Sequence, residues 1–484
     1  MKRQHPIAIL RYTSKYFWLL LIPLIRGLRF LKYDFYGWIS GAYIDIIVLL
    51  IIIASAFIRW YNVKYCIIKN GINFSTGVFF KHSSFVSFES ISTIKSAEYL
   101  ALKLFKAVVV YVDTDINSSL SKFSKYNIKI IVDLKEWKRL LNKITINELG
   151  TEYVYKSSNK KILLFSLAFS STLSGLLYVS ALILNGGRLV AEEIENRFLT
   201  VVNNVTMIAQ NIISGVSPFS VSIIIIIAVG WMISFIKNYV RHINFRAERC
   251  QKILIIKNGF FSRRSYFLNV QKINCIDLKQ NLLMKLCKVV SVHISCAGYG
   301  KRKTEIPLVM PVKDIKNIRS NMQNFLPEIP LENINIFPQK KYLAKFISMP
   351  LFFVFGTMIA GLILTMLFPA WYKVIYFSYV MIEIILIYFY FVRLMEYFTN
   401  GVGFNKKILT MKYRKFFQFH YIMIPYDKIS AVQITQNIFQ TGKMACDLIV
   451  YEKNEILKKH RVRNINMNDL ARNMFNEGYY SEMF

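Results

Sequence analysis

Long hydrophobic segments alternate with polar and strongly basic segments along the chain. Most of the hydrophobic segments reach the roughly 20 residues that a helix needs to cross the hydrocarbon core of a bilayer. The pattern therefore predicts about six transmembrane helices. The first segment is the weakest candidate, because it is short and contains Pro23 and Arg26. The six segments lie at about 15–30, 37–58, 162–184, 217–236, 343–368 and 373–392.

The six segments form three pairs, which we call membrane hairpins 1 to 3. Short connections at Phe30–Tyr36 and Pro369–Tyr372 join the first and the third pair. Few cations lie on the side of the connections, and nearly all others lie in the long segments between the pairs. Because Lys and Arg are enriched in cytoplasmic loops, we expect a multi-pass protein of the cell membrane whose termini and basic segments are cytoplasmic. The cations on the connection side are Lys32, Arg188, Arg197 and Lys373.

An internal repeat relates the segments that follow the hairpins. Ile67-Ile68-Lys69-Asn70-Gly71 matches Ile255-Ile256-Lys257-Asn258-Gly259. The interval from Gly259 to Lys272 is about six residues shorter than its counterpart after Gly71, and the third copy has Asn405-Lys406-Lys407 in place of Asn-Gly. The repeat predicts one membrane hairpin followed by one module, three times. Lys272-Ile273 with Gln280-Asn281 also recurs, as Lys428-Ile429 with Gln436-Asn437.

The three basic segments carry the pattern of short strands. Asn-Gly pairs between apolar, β-branched runs indicate hairpins, and each segment ends in a helical pattern. Several short strands closed by one helix are typical of a small β-barrel or sandwich. The predicted fold class is a polytopic α-helical membrane protein that alternates with three helix-capped β-modules. Its parts are hairpin 1 at 1–58, module 1 at 59–148, hairpin 2 at 160–237, module 2 at 238–328, hairpin 3 at 342–393 and module 3 at 394–478.

The composition fits a membrane protein, since 54% of the 484 residues are hydrophobic. The formal net charge is +34, from 62 Lys and Arg against 28 Asp and Glu. Such a charge fits nucleic-acid binding, attraction to anionic lipid, or the cytoplasmic bias of membrane proteins. The cations are spread over all three modules and every helix exit, which argues against nucleic acid as a partner. The six Cys lie in the basic segments and form no CxxC pair, as expected of reduced, buried thiols.

Three features of the sequence together resemble one family. They are the N-terminal His5-Pro6-Ile7-Ala8-Ile9-Leu10-Arg11-Tyr12, the repeated modules, and the downstream Ile424-Pro425-Tyr426-Asp427-Lys428-Ile429. The chain in this respect resembles the bacterial PH-like membrane proteins of the YdbT type. The resemblance implies that each module is a bent seven-stranded antiparallel barrel capped by a helix. It also implies no enzymatic activity, no cofactor, a smaller membrane partner with one PH-like module, and in some members resistance to membrane-active peptides such as bacteriocins.

Cations at predicted turns and loops are the candidates for binding lipid or a partner. A module tethered by a membrane helix lies close to the anionic inner leaflet, where each Lys or Arg contributes about 1 kcal/mol of attraction. The alternative is that these cations only set the topology and solvate the surface. The candidates are Arg263, Arg264, Lys406, Lys407, Arg414 and Lys415 at predicted hairpin tips, and Lys103, Lys106, Lys285 and Lys288 in loops.

Two carboxylates fall within predicted spans, Asp45 in the second and Glu383 in the sixth. A charge at that depth costs roughly 2.5 kcal/mol or more, so each group is expected to be protonated, paired or directed into the helix bundle. Arg26 would be the partner of Asp45 if that carboxylate is paired. One interpretation of the two carboxylates is an ion or proton pathway. The other interpretation is a hydrogen bond between helices.

The outer segment 188–212 has apolar residues at three- and four-residue spacing, which predicts an amphipathic helix. Glu192, Glu193 and Glu195 lie at its start, where acids suit the helix dipole. A cationic peptide outside the cell would meet these three residues first. The alternative is a helix that packs over the spans. The predicted apolar face is Val190, Ile194, Phe198, Val201, Val205, Ile208 and Ile212.

The sequence carries no motif of a catalytic or cofactor site. The six His have no metal-ligand spacing, and no P-loop, dinucleotide fingerprint or nucleophile signature occurs. We therefore expect a scaffold or sensor at the inner face, with a role in peptide resistance that the resemblance alone implies. Its expected partners are anionic lipids of the inner leaflet, the small one-module membrane protein and an antimicrobial peptide. The rival hypothesis is a transporter or channel subunit that uses Asp45 and Glu383.

Overall fold

The structure is a computed structural model. It describes residues 1–13, 35–68, 70–114, 128–145, 150, 152–170, 195–211, 218–300, 306–405, 407–453 and 458–476. The chain divides into two compact units. Unit 1 comprises 1–154, 247–273 and 296–305, and unit 2 comprises 155–246, 274–295 and 306–484.

The elements repeat in three sets, which correspond to modules 1 to 3. The first set is β1 (Lys2–Arg3), α1 (Ala8–Thr13), α2 (Phe35–Asn62), β2 (Lys64–Ile68), β3 (Gly71–Thr76), β4 (His82–Ser87), β5 (Ile91–Glu98), α3 (Leu100–Leu104), β6 (Ala107–Thr114), β7 (Ile128–Asp133) and α4 (Leu134–Thr145). The second set is β8 (Tyr153–Lys156), α5 (Asn159–Ala168), α6 (195–211), α7 (Pro218–His242), β9 (Arg246–Cys250), β10 (Ile253–Asn258), β11 (Arg263–Asn269), β12 (Ile273–Gln280), α8 (Leu282–Leu286), β13 (Val289–Cys296), β14 (Leu308–Asp314) and α9 (Ile318–Phe325). The third set is α10 (Leu343–Leu367), α11 (Tyr372–Thr399), β15 (Gly401–Phe404), β16 (Ile408–Lys415), β17 (Gln418–Pro425), β18 (Ile429–Thr435), α12 (Ile438–Thr441), β19 (Ala445–Glu452), β20 (Lys458–Asn466) and α13 (Met467–Asn476).

Each membrane hairpin is inserted after the first strand of its module. In module 1, Arg3 of β1 lies opposite Lys64 of β2, so the strand before the hairpin pairs with the strand after it. In module 2, the Glu152 amide beside β8 donates to the Arg249 carbonyl in β9. In module 3 an isolated antiparallel bridge joins Ile336 to β15. Modules 1 and 2 thus have four strands before a short 3-10 turn and three strands after it, followed by a helix. In module 3 the bridge at Ile336 takes the place of the first strand.

Neighbouring modules share sheets. The seven-stranded sheet has the order β7-β6-β5-β11-β10-β9-β8, so the last three strands of module 1 continue into the first four strands of module 2. The six-stranded sheet, β14-β13-β12-β17-β16-β15, joins modules 2 and 3 in the same way. The remaining sheets are β1-β2-β3-β4 and β18-β19-β20. We call the β5–β11 and β12–β17 contacts junction 1 and junction 2.

Alternation of apolar residues fills the module cores. Val108, Val110 and Val112 of β6 enter the core of module 1, and the alternating residues Val109 and Tyr111 are buried in a second apolar cluster on the other face of the strand. Trp137 and Leu140 enter the same core from α4, three residues apart on one face of the helix. Full burial of a large aliphatic or aromatic side chain contributes roughly 1.5–3 kcal/mol, so these contacts fix the capping helix on its barrel. In module 3 the corresponding core contains Leu448, Val450, Val462, Ile465 and Leu470.

Three of the about six predicted spans correspond to long apolar helices in the structure. Among the described residues three helices are long and apolar enough to cross a membrane, at Val221–His242, Lys340–Leu367 and Val374–Thr399. The predicted second span lies in α2, which contains the shorter apolar stretch Ile47–Asn62. Most of the predicted first span and of the third span lies outside the described residues, at 14–34 and 171–194.

The Asn-Gly repeat aligns two turns that are not equivalent. Asn70-Gly71 connects β2 to β3, whereas Asn258-Gly259 begins the connection from β10 to β11, one hairpin later in its module. The true counterpart of Gly259 in module 1 is Gly77, which follows β3 and accounts for the six-residue difference in spacing. An Asn-Gly pair predicts only that the chain turns at that position. The sheet topology shows which two strands each turn connects. Gly77 and Gly259 both have positive φ, 123° and 104°, which a residue without Cβ adopts readily.

The amphipathic outer segment contains a helix at 195–211. Val202 is buried against Val221 of α7, with Phe198 packed beside them. Val201, Val205 and Ile208 belong to the predicted apolar face but are 48%, 39% and 62% exposed. The face that packs on α7 is therefore rotated by about one residue from the predicted face.

Candidate membrane-facing site

Strand alternation determines which connections lie at the end of a module from which its membrane hairpin leaves, and we call this end the membrane end. An antiparallel meander reverses direction at every turn. The membrane hairpin leaves the sheet between the first and second strands, and the next turn lies at the opposite end. The third connection therefore returns to the end from which the hairpin leaves. This connection is 77–81 in module 1, 259–262 in module 2 and 416–417 in module 3.

Each of these three connections contains two consecutive phenylalanines. We call them the Phe-Phe turns. Their side chains are highly exposed, although Phe is an apolar residue. Cations flank every turn, so that each turn combines apolar rings with positive charge. The rings and their exposures are Phe79 94%, Phe80 79%, Phe260 58%, Phe261 58%, Phe416 77% and Phe417 41%, and the flanking cations are Lys81, Arg263, Arg264, Arg414 and Lys415.

In module 3 the Phe-Phe turn contacts the last membrane helix directly. The Phe417 ring lies 5.5 Å from the ring of Tyr388 and 6.2 Å from that of Phe389, both in α11. The Arg414 guanidinium donates to Glu396 near the end of the same helix at 2.5 Å. Arg393 donates to the same carboxylate at 2.6 Å. The buried Arg–Glu–Arg group and the aromatic contact hold the turn against the helix exit.

A cavity of about 460 Å³ opens beside this turn. Aromatic rings, among them Phe389 and Phe416, form part of its lining, and cations form much of the rest. Arg461 is paired with Asp447, at 2.6 Å between Nη2 and Oδ2. A lining of aromatic rings and several cations suits an amphiphilic anion, such as a lipid whose headgroup contacts the cations and whose acyl chains contact the rings. The cationic lining residues are Arg414, Lys415, Lys459, Arg461 and Arg463.

A short helix forms a second apolar element at the same end of each module. In module 1, Leu102 of α3 packs beside Tyr12 and Trp60 of membrane hairpin 1. In module 2, the Asn281 amide before α8 donates to the Ala168 carbonyl of α5 at 2.8 Å. In module 3, the Tyr342 hydroxyl donates to the Lys443 carbonyl after α12 at 2.8 Å. The exposed apolar residues of these helices and their ends are Leu100, Leu104, Phe105, Leu283, Leu286, Ile438 and Met444.

The predicted cationic sites separate into groups. Lys103, Lys106 and Lys288 are exposed beside the short helices, at the membrane end. Lys285 instead lies with its Nζ 3.5 Å from the centroid of the Phe419 ring, and burial together with Lys412 lowers its pKa to about 8. Lys407 lies in the turn between β15 and β16, at the end away from the membrane hairpin, and Lys406 is outside the described residues.

The carboxylate predictions have different outcomes. Glu383 accepts a hydrogen bond from the Thr357 hydroxyl of α10 at 2.6 Å, so it joins the two helices of membrane hairpin 3. Asp45 lies in α2, but its side chain is outside the described residues, as is Arg26. Glu195 is exposed at the start of α6. Glu192 and Glu193 lie outside the described residues.

Sequence reasoning did not anticipate a polar cluster inside unit 2. His420 Nδ1 lies 2.9 Å from an Asp277 oxygen, and the Tyr413 ring stacks on the His420 ring at 5.1 Å. The Tyr413 hydroxyl and His460 Nδ1 are 2.8 Å apart, and His460 Nε2 lies 3.3 Å from Glu452. The five residues lie on five strands that are spread along the sequence, and the β12–β17, β16–β17 and β19–β20 pairings contribute to bringing them together. They line a cavity of about 450 Å³.

The cluster holds charges in the interior of the protein. Burial opposes ionisation of Asp277, but His420 and Lys279 outweigh it and hold the pKa of this carboxyl well below its ordinary value. Burial likewise opposes ionisation of Glu452, and its bond to His460 with the nearby Lys458 lowers that pKa. Burial lowers the pKa of His293 well below its ordinary range. Among the described residues no group of His, Cys, Asp and Glu could hold a metal ion.

Comparisons with known proteins agree with the repeated architecture. The bacterial PH domain matches the chain three times, at residues 17–145, 198–325 and 346–477. Each match ends within one residue of the end of the capping helix, α4, α9 or α13. No solved structure matches the chain.

A curated relative supports the association with membranes. The transmembrane protein YdbT of Bacillus subtilis (strain 168) is 22% identical over 389 residues, which cover 73% of this chain and 76% of the relative. The family matches, the relative and the apolar helices agree on a membrane-associated protein with repeated PH-like modules. Because the three matches together cover most of its length, this chain belongs to the bacterial PH domain family.

Proposed function

We propose that the chain is a non-enzymatic membrane scaffold whose three modules rest with one end on the anionic cytoplasmic leaflet. The observation that carries the proposal is the shared position of the Phe-Phe turns. In every module the turn leaves the sheet at the end from which the membrane hairpin also leaves. The distribution of cations supports the cytoplasmic side.

The energies favour a surface contact of this kind. Full burial of a Phe side chain contributes roughly 1.5–3 kcal/mol, and each nearby cation adds about 1 kcal/mol at an anionic surface. An exposed ion pair contributes only about 0–1 kcal/mol. Two partly inserted rings per module and the exposed cations beside them would therefore orient a barrel that a hairpin already tethers.

Spin labels at the turns test the membrane contact. Cysteines would replace Phe80, Phe260 or Phe416, and as a control Lys407 at the opposite end of module 3. Cys66 and Cys287, which are not buried, would be replaced by Ser, and the other four native cysteines are buried. In vesicles that contain phosphatidylglycerol, we expect labels at the three turns to collide with oxygen in the bilayer and the control label to collide with a water-soluble nickel chelate. Equal accessibility of all four labels to the nickel chelate would refute the proposal.

We extend the proposal to protection against membrane-active peptides such as bacteriocins. The family resemblance supports this step, and so does a set of modules fixed to three membrane hairpins. Deletion of the gene is expected to raise sensitivity to some members of a panel of pore-forming peptides. Unchanged sensitivity to the whole panel would remove the protective role and leave the membrane contact unaffected.

A further inference from the structure

We propose that the chain binds a second copy of itself head to tail, with β18 of one copy paired antiparallel to β4 of the next. The proposal goes beyond the scaffold function, since it requires no contact with lipid. It rests on junctions 1 and 2, where the chain already makes this contact twice. In both, the first strand after the 3-10 turn of one module pairs with the strand before the 3-10 turn of the next module.

The two junctions have one register. Ile94 of β5 and Ile276 of β12 are each the fourth residue after their 3-10 turn, and Phe267 of β11 and Met423 of β17 are each the third residue before theirs. Phe267 lies opposite Ile94, and Met423 lies opposite Ile276. Equivalent residues therefore pair at both junctions although the two pairs of strands differ in sequence, which indicates that the module fold sets the register. The 3-10 turns are Phe88–Ser90, Val270–Lys272 and Tyr426–Lys428.

The outer edges of β4 and β18 are complementary in the same way as the two strands of a junction. In the part of the chain that the structure describes, no strand pairs with the outer edge of β4 or of β18. Phe85 of β4 is 56% exposed, whereas its counterparts Phe267 and Met423 are 8% and 0% exposed. Ala431 of β18 is exposed as well, whereas its counterpart Thr93 in β5 is buried. Each edge thus exposes residues that a junction would cover.

The two edges carry no charge and no proline that would prevent strand pairing. Exposed edge strands of natural proteins commonly carry charges, proline or a bulge that blocks association with another chain. β4 has the sequence His-Ser-Ser-Phe-Val-Ser, and β18 has Ile-Ser-Ala-Val-Gln-Ile-Thr. Neither contains proline or a residue that is charged at neutral pH. The irregularity between Ile429 and Ala431 of β18 recurs between Ile91 and Thr93 of β5, a strand that pairs in junction 1.

β18 also has a donor residue at the position from which both junctions make a second contact, a hydrogen bond from a side chain to a backbone carbonyl. In junction 1, the Ser92 hydroxyl donates to the Ala297 carbonyl at 3.0 Å. In junction 2, the Asn274 amide donates to the Lys453 carbonyl at 2.7 Å. Ser92 and Asn274 are the second residues of their strands, and Ser430 has this position in β18. The free edge therefore carries a donor where both junctions use one.

The junction register predicts the residues that meet between copies. It places Phe85 of one copy opposite Val432 of the other, and Ser84 opposite Gln433. The pair equivalent to Ser84 and Gln433 in junction 1 is Tyr266 and Lys95. Their side chains lie on one face, with Lys95 Nζ 5.5 Å from the Tyr266 ring. Such a heterologous contact forms an open row of copies unless its rotation closes a ring.

Site-specific disulfides test the contact in the full chain. Two copies with different tags would be co-expressed in membranes, one with Ser84→Cys and the other with Gln433→Cys, both with Cys66→Ser and Cys287→Ser. We expect mild oxidation to give a cross-linked dimer that contains both tags. The matched control pairs Ser84→Cys with Ile434→Cys, whose side chain packs on the core of module 3 and so points to the opposite face. We expect at least a tenfold lower yield from the control.

A charge at the edge gives a second, independent test. Ala431 is exposed in a single copy. The equivalent residues at the junctions, Thr93 and Cys275, are only 1% and 2% exposed, so Ala431→Glu would bury a carboxylate if two copies paired in the same way. We expect this variant to lose the oligomer in native mass spectrometry, and Asn468→Glu, on the exposed surface of α13, to retain it. No dimer in either the cross-linking or the mass measurement, or capture of a different protein at the edge, would overturn the proposal. The lipid accessibility of the Phe-Phe turns would be unchanged by that result.

Discussion

The ring of Phe417 lies 5.5 Å from the ring of Tyr388, so the Phe-Phe turn of module 3 touches the side of α11, a helix long and apolar enough to cross a membrane. The contact joins the turn between β16 and β17 to the second helix of membrane hairpin 3. Together with the Arg414–Glu396 ion pair, it makes the helix exit and the barrel one packed region. Membrane hairpin 3 and its module are consequently expected to move together.

The Arg393–Glu396–Arg414 group predicts a large effect of one substitution. Glu396→Gln would leave two guanidinium groups, 7% and 8% exposed, without their carboxylate. Removal of one partner from a buried charged group costs roughly 3–5 kcal/mol. We expect thermal unfolding of the purified protein in detergent to occur at a clearly lower temperature. Asp427→Asn is the control, because Asp427 is 69% exposed in its pair with Lys428 and should change stability by about 1 kcal/mol or less.

Glu383 distinguishes the scaffold from a transporter. Its hydrogen bond from Thr357 is a contact between α10 and α11, and Gln can accept the same bond. Glu383→Gln should therefore leave peptide resistance and stability nearly unchanged, whereas Glu383→Leu should lower stability by about 1 kcal/mol. Loss of function in a Glu383→Gln variant with unchanged stability would favour the transporter hypothesis.

The polar cluster of unit 2 predicts that acid destabilises this unit. The pKa of His293 is lowered in the folded state, so the unfolded chain takes up a proton first as the pH falls below 6.5. The pKa values of Asp277 and Glu452 are also lowered, and the stability that these carboxylates contribute is present above 3.8 and 4.5 and is lost as the pH falls further. Between pH 6.5 and 5, the contribution of the neutral His293 to stability therefore decreases as the pH falls.

Chemical unfolding across this pH range measures the effect. His293→Gln should flatten the decrease between pH 6.5 and 5 and leave the decrease below pH 4.5. His82→Gln is the matched control, because His82 is exposed in β4 of unit 1. An identical pH profile for His293→Gln and the unmodified chain would show that the buried imidazole does not cause the decrease.

The orientation of the modules is a separate prediction. The excess of cations in the basic segments predicts that all three modules lie in the cytoplasm. A reporter enzyme fused after residue 140, 320 or 484 should be active on the cytoplasmic side in each case. An external reporter at any of these positions would contradict the arrangement of membrane hairpins and modules, and with it the contact to the inner leaflet.

Much of the site could be predicted from composition and local pattern. Arg414 and Lys415 are adjacent cations at a predicted hairpin tip, and the structure places them beside Phe416. A simple signal for the Phe-Phe turns was also present, since a Phe-Phe pair occurs once in the corresponding turn of each module. Lys459 and Arg463 could not be assigned to this cavity, because they belong to a strand that approaches it only in the folded barrel.

The sequence by itself determined the alternation of apolar helices with three strand-rich modules, because helical and strand periodicities are local properties of hydrophobic spacing. It also determined the excess of positive charge and the recurrence of the modules. Only the tertiary structure decided that each hairpin is inserted after a first strand, and that neighbouring modules share sheets. Strand pairing joins residues far apart in the chain, such as Asp277 and His420, through backbone hydrogen bonds that leave no trace in local sequence. For the same reason, only the folded sheets reveal that, among the described residues, the outer edges of β4 and β18 lack the partner strand that their counterparts have at the junctions.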